Sequence, residues 1–149
     1  MTIYQNTFDG TDGAAATISS LGSSGDAPSL VSKAGAATWT YAVIGKYSGA
    51  TGLRFLDPGA ATDKGYTRFT IAATAQMRGR VYFTLNSLPS TAQNLVVILD
   101  TAAAQQFAFG LLGGNVLRAV NAAGASLGSS SPALTAETRY RLEWQWKVC

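Results

Sequence analysis

Histidine is absent from the 149 residues, cysteine occurs once, at the final position, and glutamate only twice. Without histidine there is no Ser-His-Asp or Cys-His activation of a nucleophile, and the commonest transition-metal ligand is missing. One cysteine holds neither a structural zinc site nor an iron–sulfur cluster. Cys149 has no intrachain partner for a disulfide, so stability has to come from packing. Charge is sparse as well: 13% of residues are charged, and eleven basic against eight acidic residues leave a formal net charge of +3. The basic residues are spread along the chain, with Arg78/Arg80 and Arg139/Arg141 as the close pairs. No basic stripe interleaved with aromatics is legible, so no nucleic-acid partner is expected. No stretch approaches the roughly 18–20 continuous apolar residues of a bilayer-crossing helix, and no membrane insertion is expected. Met1–Asn6 carries neither the basic region nor the apolar stretch of a secretory signal. No G-x-x-x-x-G-K-[ST] run is present to cradle a phosphate.

What the chain does have is small and apolar. Ala, Gly, Ser and Thr supply roughly half the residues, while hydrophobic residues reach 47%, more than a disordered chain carries. The length predicts one domain over 1–149. The run Arg139-Tyr140-Arg141-Leu142-Glu143-Trp144-Gln145-Trp146-Lys147 alternates polar and apolar throughout, which predicts a strand with one buried face. Thr38–Ile44, Tyr66–Ile71 and Arg80–Leu85 read as further strands. Leu95–Leu99 is apolar at every position and predicts a strand covered on both faces. Gln106–Leu112 and Val116–Val120 flank Gly113-Gly114-Asn115, a hairpin signal. Turn residues recur at Asp57-Pro58-Gly59, Pro89-Ser90, Asn121–Gly124 and Gly128–Pro132. That spacing predicts an all-β, antiparallel β-sandwich with a core including Phe8, Tyr41, Phe69, Ile71, Leu99, Leu142 and Trp144. Thr101–Gln105 has a helical composition but is too short to nucleate alone and reads as a loop. Gly10–Gly35 reads as a long ordered loop with short strands.

Candidate sites are few. Asp9 and Asp12, within Asp9-Gly10-Thr11-Asp12-Gly13, are the candidate calcium ligands, since close aspartates with flexible glycines supply hard oxygens. Asp-Gly is also an ordinary turn pair, and the turn is the preferred reading. Glycoside hydrolysis needs a carboxylate pair, for which Glu137 and Glu143 are the available glutamates. Glu143 is expected instead to pair with Arg141 or a neighbouring strand, so no catalytic residue and no cofactor are assigned. Each arginine pair lies on one face of its strand and suits a phosphate or carboxylate, or is simply a polar face. Trp39 and Tyr47 are the candidate glycan-stacking residues, with packing in the core as the competing role.

The opening Asn6-Thr7-Phe8-Asp9-Gly10-Thr11-Asp12-Gly13, then Thr17-Ile18-Ser19 and Gly22–Gly25, resembles the start of the laminin-G-like or concanavalin-A-like jelly-roll domains of actinobacteria and their tailed bacteriophages. Those domains open F-[DE]-G-G-x-[DN]-G before a Gly/Ser-rich segment. Thr40-Tyr41, Gly79–Phe83 with Leu88-Pro89, the Gly113–Val116 turn and Arg139-Tyr140-Arg141-Leu142-Glu143 extend the likeness, with Arg139 in place of the family's tryptophan in W-Y-R-L-E. The resemblance implies a jelly roll and a non-enzymatic virion structural protein, a minor tail or capsid-decoration component at the virion surface. Its partners would be other virion proteins and further copies of itself; recognition of a host-surface glycan is the alternative. Relatives continue through further strands, so the chain is expected either to lack its last strands or to be continued in a longer parent.

Overall fold

The computed structural model describes residues 5–22, 25–43, 49, 51–56, 64–71, 74–89, 91–112 and 115–147. The chain forms two compact units, residues 1–74 and 75–149. Among the described residues there are nine strands and one five-residue helix, and every strand pairing is antiparallel. The protein is all-β. No helix among the described residues is long and apolar enough to cross a membrane.

In the first unit a short helix α1 (Ile18–Gly22) precedes β1 (Leu30–Ala34), β2 (Thr38–Ala42), β3 (Gly52–Leu56) and β4 (Lys64–Arg68). One turn of helix is not stable alone, and its start is closed by a reciprocal cap. The Ser20 N–H donates to Thr17 Oγ1 (3.1 Å) and the Thr17 N–H to Ser20 Oγ (2.9 Å), a capping box with serine in the third position. The helix carries Leu21, fully buried, a burial contributing about 1.5–3 kcal/mol. Leu21 packs with Ala16 and Tyr41, and Phe8, Val31, Trp39 and Leu53 close around them. β1 pairs with β4 and β2 with β3. The segment before α1 extends β2, since the Tyr41 N–H donates to Ala14 O and the Ala16 N–H to Trp39 O, both at 3.0 Å.

The second unit holds β5 (Gln76–Thr84), β6 (Gln93–Leu99), β7 (Gln105–Leu112), β8 (Val116–Asn121) and β9 (Arg139–Lys147). β6, β7 and β8 form a three-stranded sheet, and β5 pairs with β9 in a two-stranded ribbon. β7 is central, and Phe107, Ala108 and Leu111 on it are buried. The apolar face of the ribbon meets this sheet where Trp144 leans on Phe109 at a centroid distance of 5.8 Å. Gly79 lies opposite Trp144 in the ribbon, and a Cβ there would overlap the indole.

The two connections after β6 and β8 are built alike. Asp100 Oδ1 accepts from the Ala102 and Ala104 N–H groups, both at 2.9 Å, and the Asp100 N–H donates to Ala104 O. Asn121 Oδ1 accepts from Ala123 (3.0 Å) and Ala125 (2.9 Å), and the Asn121 N–H donates to Ala125 O. The left-handed residue of the first turn is Ala103 (φ 62°) and that of the second Gly124 (φ 79°). After the second turn the chain runs back along β8, with Leu127 N–H donating to Ala119 O and Ser131 N–H to Leu117 O. That return covers a backbone edge otherwise open to foreign strands.

The alternation of β9 is as expected, with Arg139, Arg141, Glu143, Gln145 and Lys147 exposed and Leu142 buried. Leu95–Leu99 departs from expectation: Val97 and Leu99 are 38% and 40% exposed. The sheet β6–β8 is covered on the face that Phe109 presents to Trp144, and alternate β6 side chains point the other way. Leu99 is therefore not a core residue. Tyr41 and Leu142 are buried, while Phe8, Phe69, Ile71 and Trp144 are half-buried. The Asp57-Pro58-Gly59 turn lies outside the described residues, as do Ser90 and the Gly113-Gly114 dipeptide of the β7–β8 hairpin.

Candidate functional site

The two candidate calcium ligands serve the scaffold. Asp9 accepts from Thr7 Oγ1 (3.0 Å) and from the Thr51 N–H (3.4 Å), and Asp12 Oδ1 accepts from the Val43 N–H (3.1 Å). Asp12-Gly13 is a turn: the Ala14 N–H donates to Thr11 O, and Gly13 has φ 79°, the positive φ that a type II turn places at its third residue. Among the described residues no three His, Cys, Asp or Glu side chains gather. The same segment is pinned by Thr51, 2% exposed. Its Oγ1 accepts from the Gly10 N–H at 2.9 Å and lies 3.3 Å from Phe8 O. Gly10 has no alternative, since a Cβ would stand 2.6 Å from the Tyr41 ring.

Of the candidate glycan platform, Tyr47 lies outside the described residues. Trp39 is half-buried; its indole N–H donates to Ser32 O at 3.0 Å and its ring leans on Phe55 at 4.7 Å. Both its polar tip and its flat face are thus engaged in packing. Cys149 also lies outside the described residues.

Glu143 pairs with both expected partners. Its Oε1 is 2.6 Å from Arg80 Nε across the ribbon and its Oε2 3.5 Å from Arg141 Nε along its own strand. The hydrogen bond and charge of Glu143, with Tyr82 beside it, hold the Arg80 guanidinium above its already high pKa. Glu137 sits at φ 58°, its N–H donating to Leu85 O at 2.7 Å.

The register of the ribbon reveals what separate inspection of the two arginine pairs misses. Gln76 faces Lys147, Arg78 faces Gln145, Arg80 faces Glu143, Tyr82 faces Arg141 and Thr84 faces Arg139. Directly opposed residues point to the same side of a sheet, and so do residues two apart. Arg78, Arg80, Arg139, Arg141 and Lys147 therefore share one face with a single acid, Glu143. All six of these side chains are exposed. The basic residues that look dispersed along the sequence are gathered by strand pairing, because β5 and β9 are brought together from distant parts of the chain. The sequence signal was the matching i, i+2 spacing of the two pairs; the register was the missing piece.

Charge is partitioned accordingly. Residues 1–74 carry five cations and five acids, and residues 75–149 carry six cations against Asp100, Glu137 and Glu143. The whole net charge of +3 thus belongs to the second unit. Its sixth cation, Arg118, is half-buried and donates to Ser130 Oγ (2.9 Å) and Ser126 Oγ (3.1 Å). No protein family matches the chain, and neither a curated protein nor a solved structure does.

Proposed function

We propose that this chain is a non-enzymatic structural module of a tailed-phage virion, on capsid or tail, working through surface contacts with other virion proteins and with copies of itself. In this reading the antiparallel strands complete a jelly roll. The observation that carries the non-catalytic part is the employment of the acids: Asp9, Asp12, Asp26, Asp100 and Glu143 all take hydrogen bonds or ion pairs that close turns, latch the N-terminal segment or pair strands. Carboxylates committed to such structural bonds are not free to take or give a proton, and this supports a non-catalytic role for these five. The assignment to a virion is supported by the resemblance of the Phe8–Gly13 and Arg139–Glu143 segments, and Gly10, Asp12 and Gly13 have scaffold roles that suit an inherited framework.

Native mass spectrometry of the chain, followed by binding assays against capsid and tail proteins, tests the reading. A defined oligomer, or stable association with one of those proteins, supports it. A soluble monomer with affinity for none of them overturns it, as does turnover of any polysaccharide that is lost in Glu143→Gln.

A further inference from the structure

We propose that the outward face of the β5–β9 ribbon binds an extended anionic polysaccharide. The inference stands on the ribbon alone, so its failure leaves the virion reading untouched. Rungs on one face of an antiparallel ribbon recur every two residues, about 6.8 Å, and the five rungs from Gln76/Lys147 to Thr84/Arg139 span about 27 Å. Each rung except the one shared with Glu143 offers a cation without an acid opposite it. Arg78, Arg139 and Lys147 make no ion pair with the described residues, while Glu143 fixes the Arg80 and Arg141 side chains in place. Four of the five cations are arginines, whose planar forks match carboxylate and phosphate oxygens. Gln76, Gln145 and Thr84 stand among them, with amide and hydroxyl groups suited to sugar hydroxyls.

A polymer is favoured over a small anion because all five cations are exposed on an open strand face: one exposed ion pair is weak, and a row of them gains by multivalency. A sugar chain is favoured over nucleic acid for two reasons. Single strands are held by bases stacked on aromatics, and the one aromatic on this face, Tyr82, is half-buried beside Arg80. A two-stranded ribbon reads duplex DNA by entering the major groove, but the reverse side of this one is apolar and Trp144 packs there against Phe109, so it cannot be inserted.

The test is titration of the chain with polygalacturonate at low ionic strength, with dextran and a thymidine oligonucleotide as comparison ligands. Polygalacturonate is expected to bind and to weaken on the order of 10–100-fold between 50 and 200 mM salt, as release of counterions from a few neutralised charges requires. Arg78→Ser/Arg139→Ser/Lys147→Ser should lose at least tenfold in affinity with an unchanged unfolding midpoint. The control Lys33→Ser/Arg54→Ser/Arg68→Ser removes the same charge from the first unit and should bind like the parent. The proposal is overturned by absence of binding, by equal binding of dextran, by tighter binding of the oligonucleotide, or by equal losses in the two triple variants.

Discussion

Ala103 holds φ 62°, the place that Gly124 holds at φ 79° in the matching turn after β8. For a residue with a Cβ this left-handed conformation costs roughly 1–2 kcal/mol. Ala103→Gly relieves that strain but restores backbone freedom to the unfolded chain, which takes back about 0.4–1 kcal/mol. Ala103 is exposed and donates only its backbone N–H, to Asp100 O, so no packing is lost. The net expectation is a stabilisation of about 0.5–1 kcal/mol. With a urea m-value of about 1–3 kcal/mol/M, the midpoint should rise by roughly 0.4 M. The reverse experiment is Gly124→Ala. Nothing lies within 4 Å of a Cβ built there, so the change isolates the backbone term and should lower the midpoint by a similar amount. Equilibrium urea unfolding followed by circular dichroism measures both. If Ala103→Gly lowers the midpoint, or Gly124→Ala leaves it unmoved, the equivalence of the two turns is wrong.

Thr51→Val keeps the shape of a buried side chain but leaves the Gly10 N–H without its acceptor; a loss of about 1–3 kcal/mol is expected by urea unfolding, and a neutral result removes Thr51 from the latch. Gly79→Ala drives a methyl group into the Trp144 indole and should cost about 1–3 kcal/mol, with a shift in tryptophan emission; an unchanged spectrum and midpoint place the indole elsewhere. Trp39→Ala should destabilise the chain by about 2–3 kcal/mol, less than a fully buried tryptophan would because the ring is half-buried, whereas a stable variant with lost glycan binding restores Trp39 as a sugar platform.

The sequence made some of this fold readable and hid the rest for identifiable reasons. β9 is legible because its two faces meet different environments, so the alternation from Arg139 to Lys147 is written residue by residue. The lack of a helix at Thr101–Gln105 is also readable, since a five-residue segment with three alanines cannot repay nucleation; that the Asp100 side chain organises the turn is not. The exposure of Val97 and Leu99 was not readable, because an apolar run carries no sign of which face lacks a cover. β3 is hard to read from the sequence: Gly52–Leu56 is short, starts at a glycine and interrupts its apolar residues with Arg54. Asp9 and Asp12 suggested a cation site by residue type, but only the positions of the Thr51 and Val43 N–H groups show which partners they take. The cationic face was hidden most deeply, since it depends on pairing between segments that local pattern does not connect.

That pairing also orders the folding process. β6, β7 and β8 are consecutive and separated by three to five residues, but Thr84 and Arg139, the nearest rung of the ribbon, are separated by all of residues 85–138. Closing so long a loop costs entropy that no contact repays until it is shut, and such contacts form late. The hairpins of the central sheet should therefore appear first, with β9 docking onto β5 afterwards. Trp144 and Trp146 ride on that last strand, so in stopped-flow refolding their fluorescence should lag the far-ultraviolet circular dichroism. A nascent chain would carry its two half-stripes of arginine apart and gain the assembled face only at the final docking step.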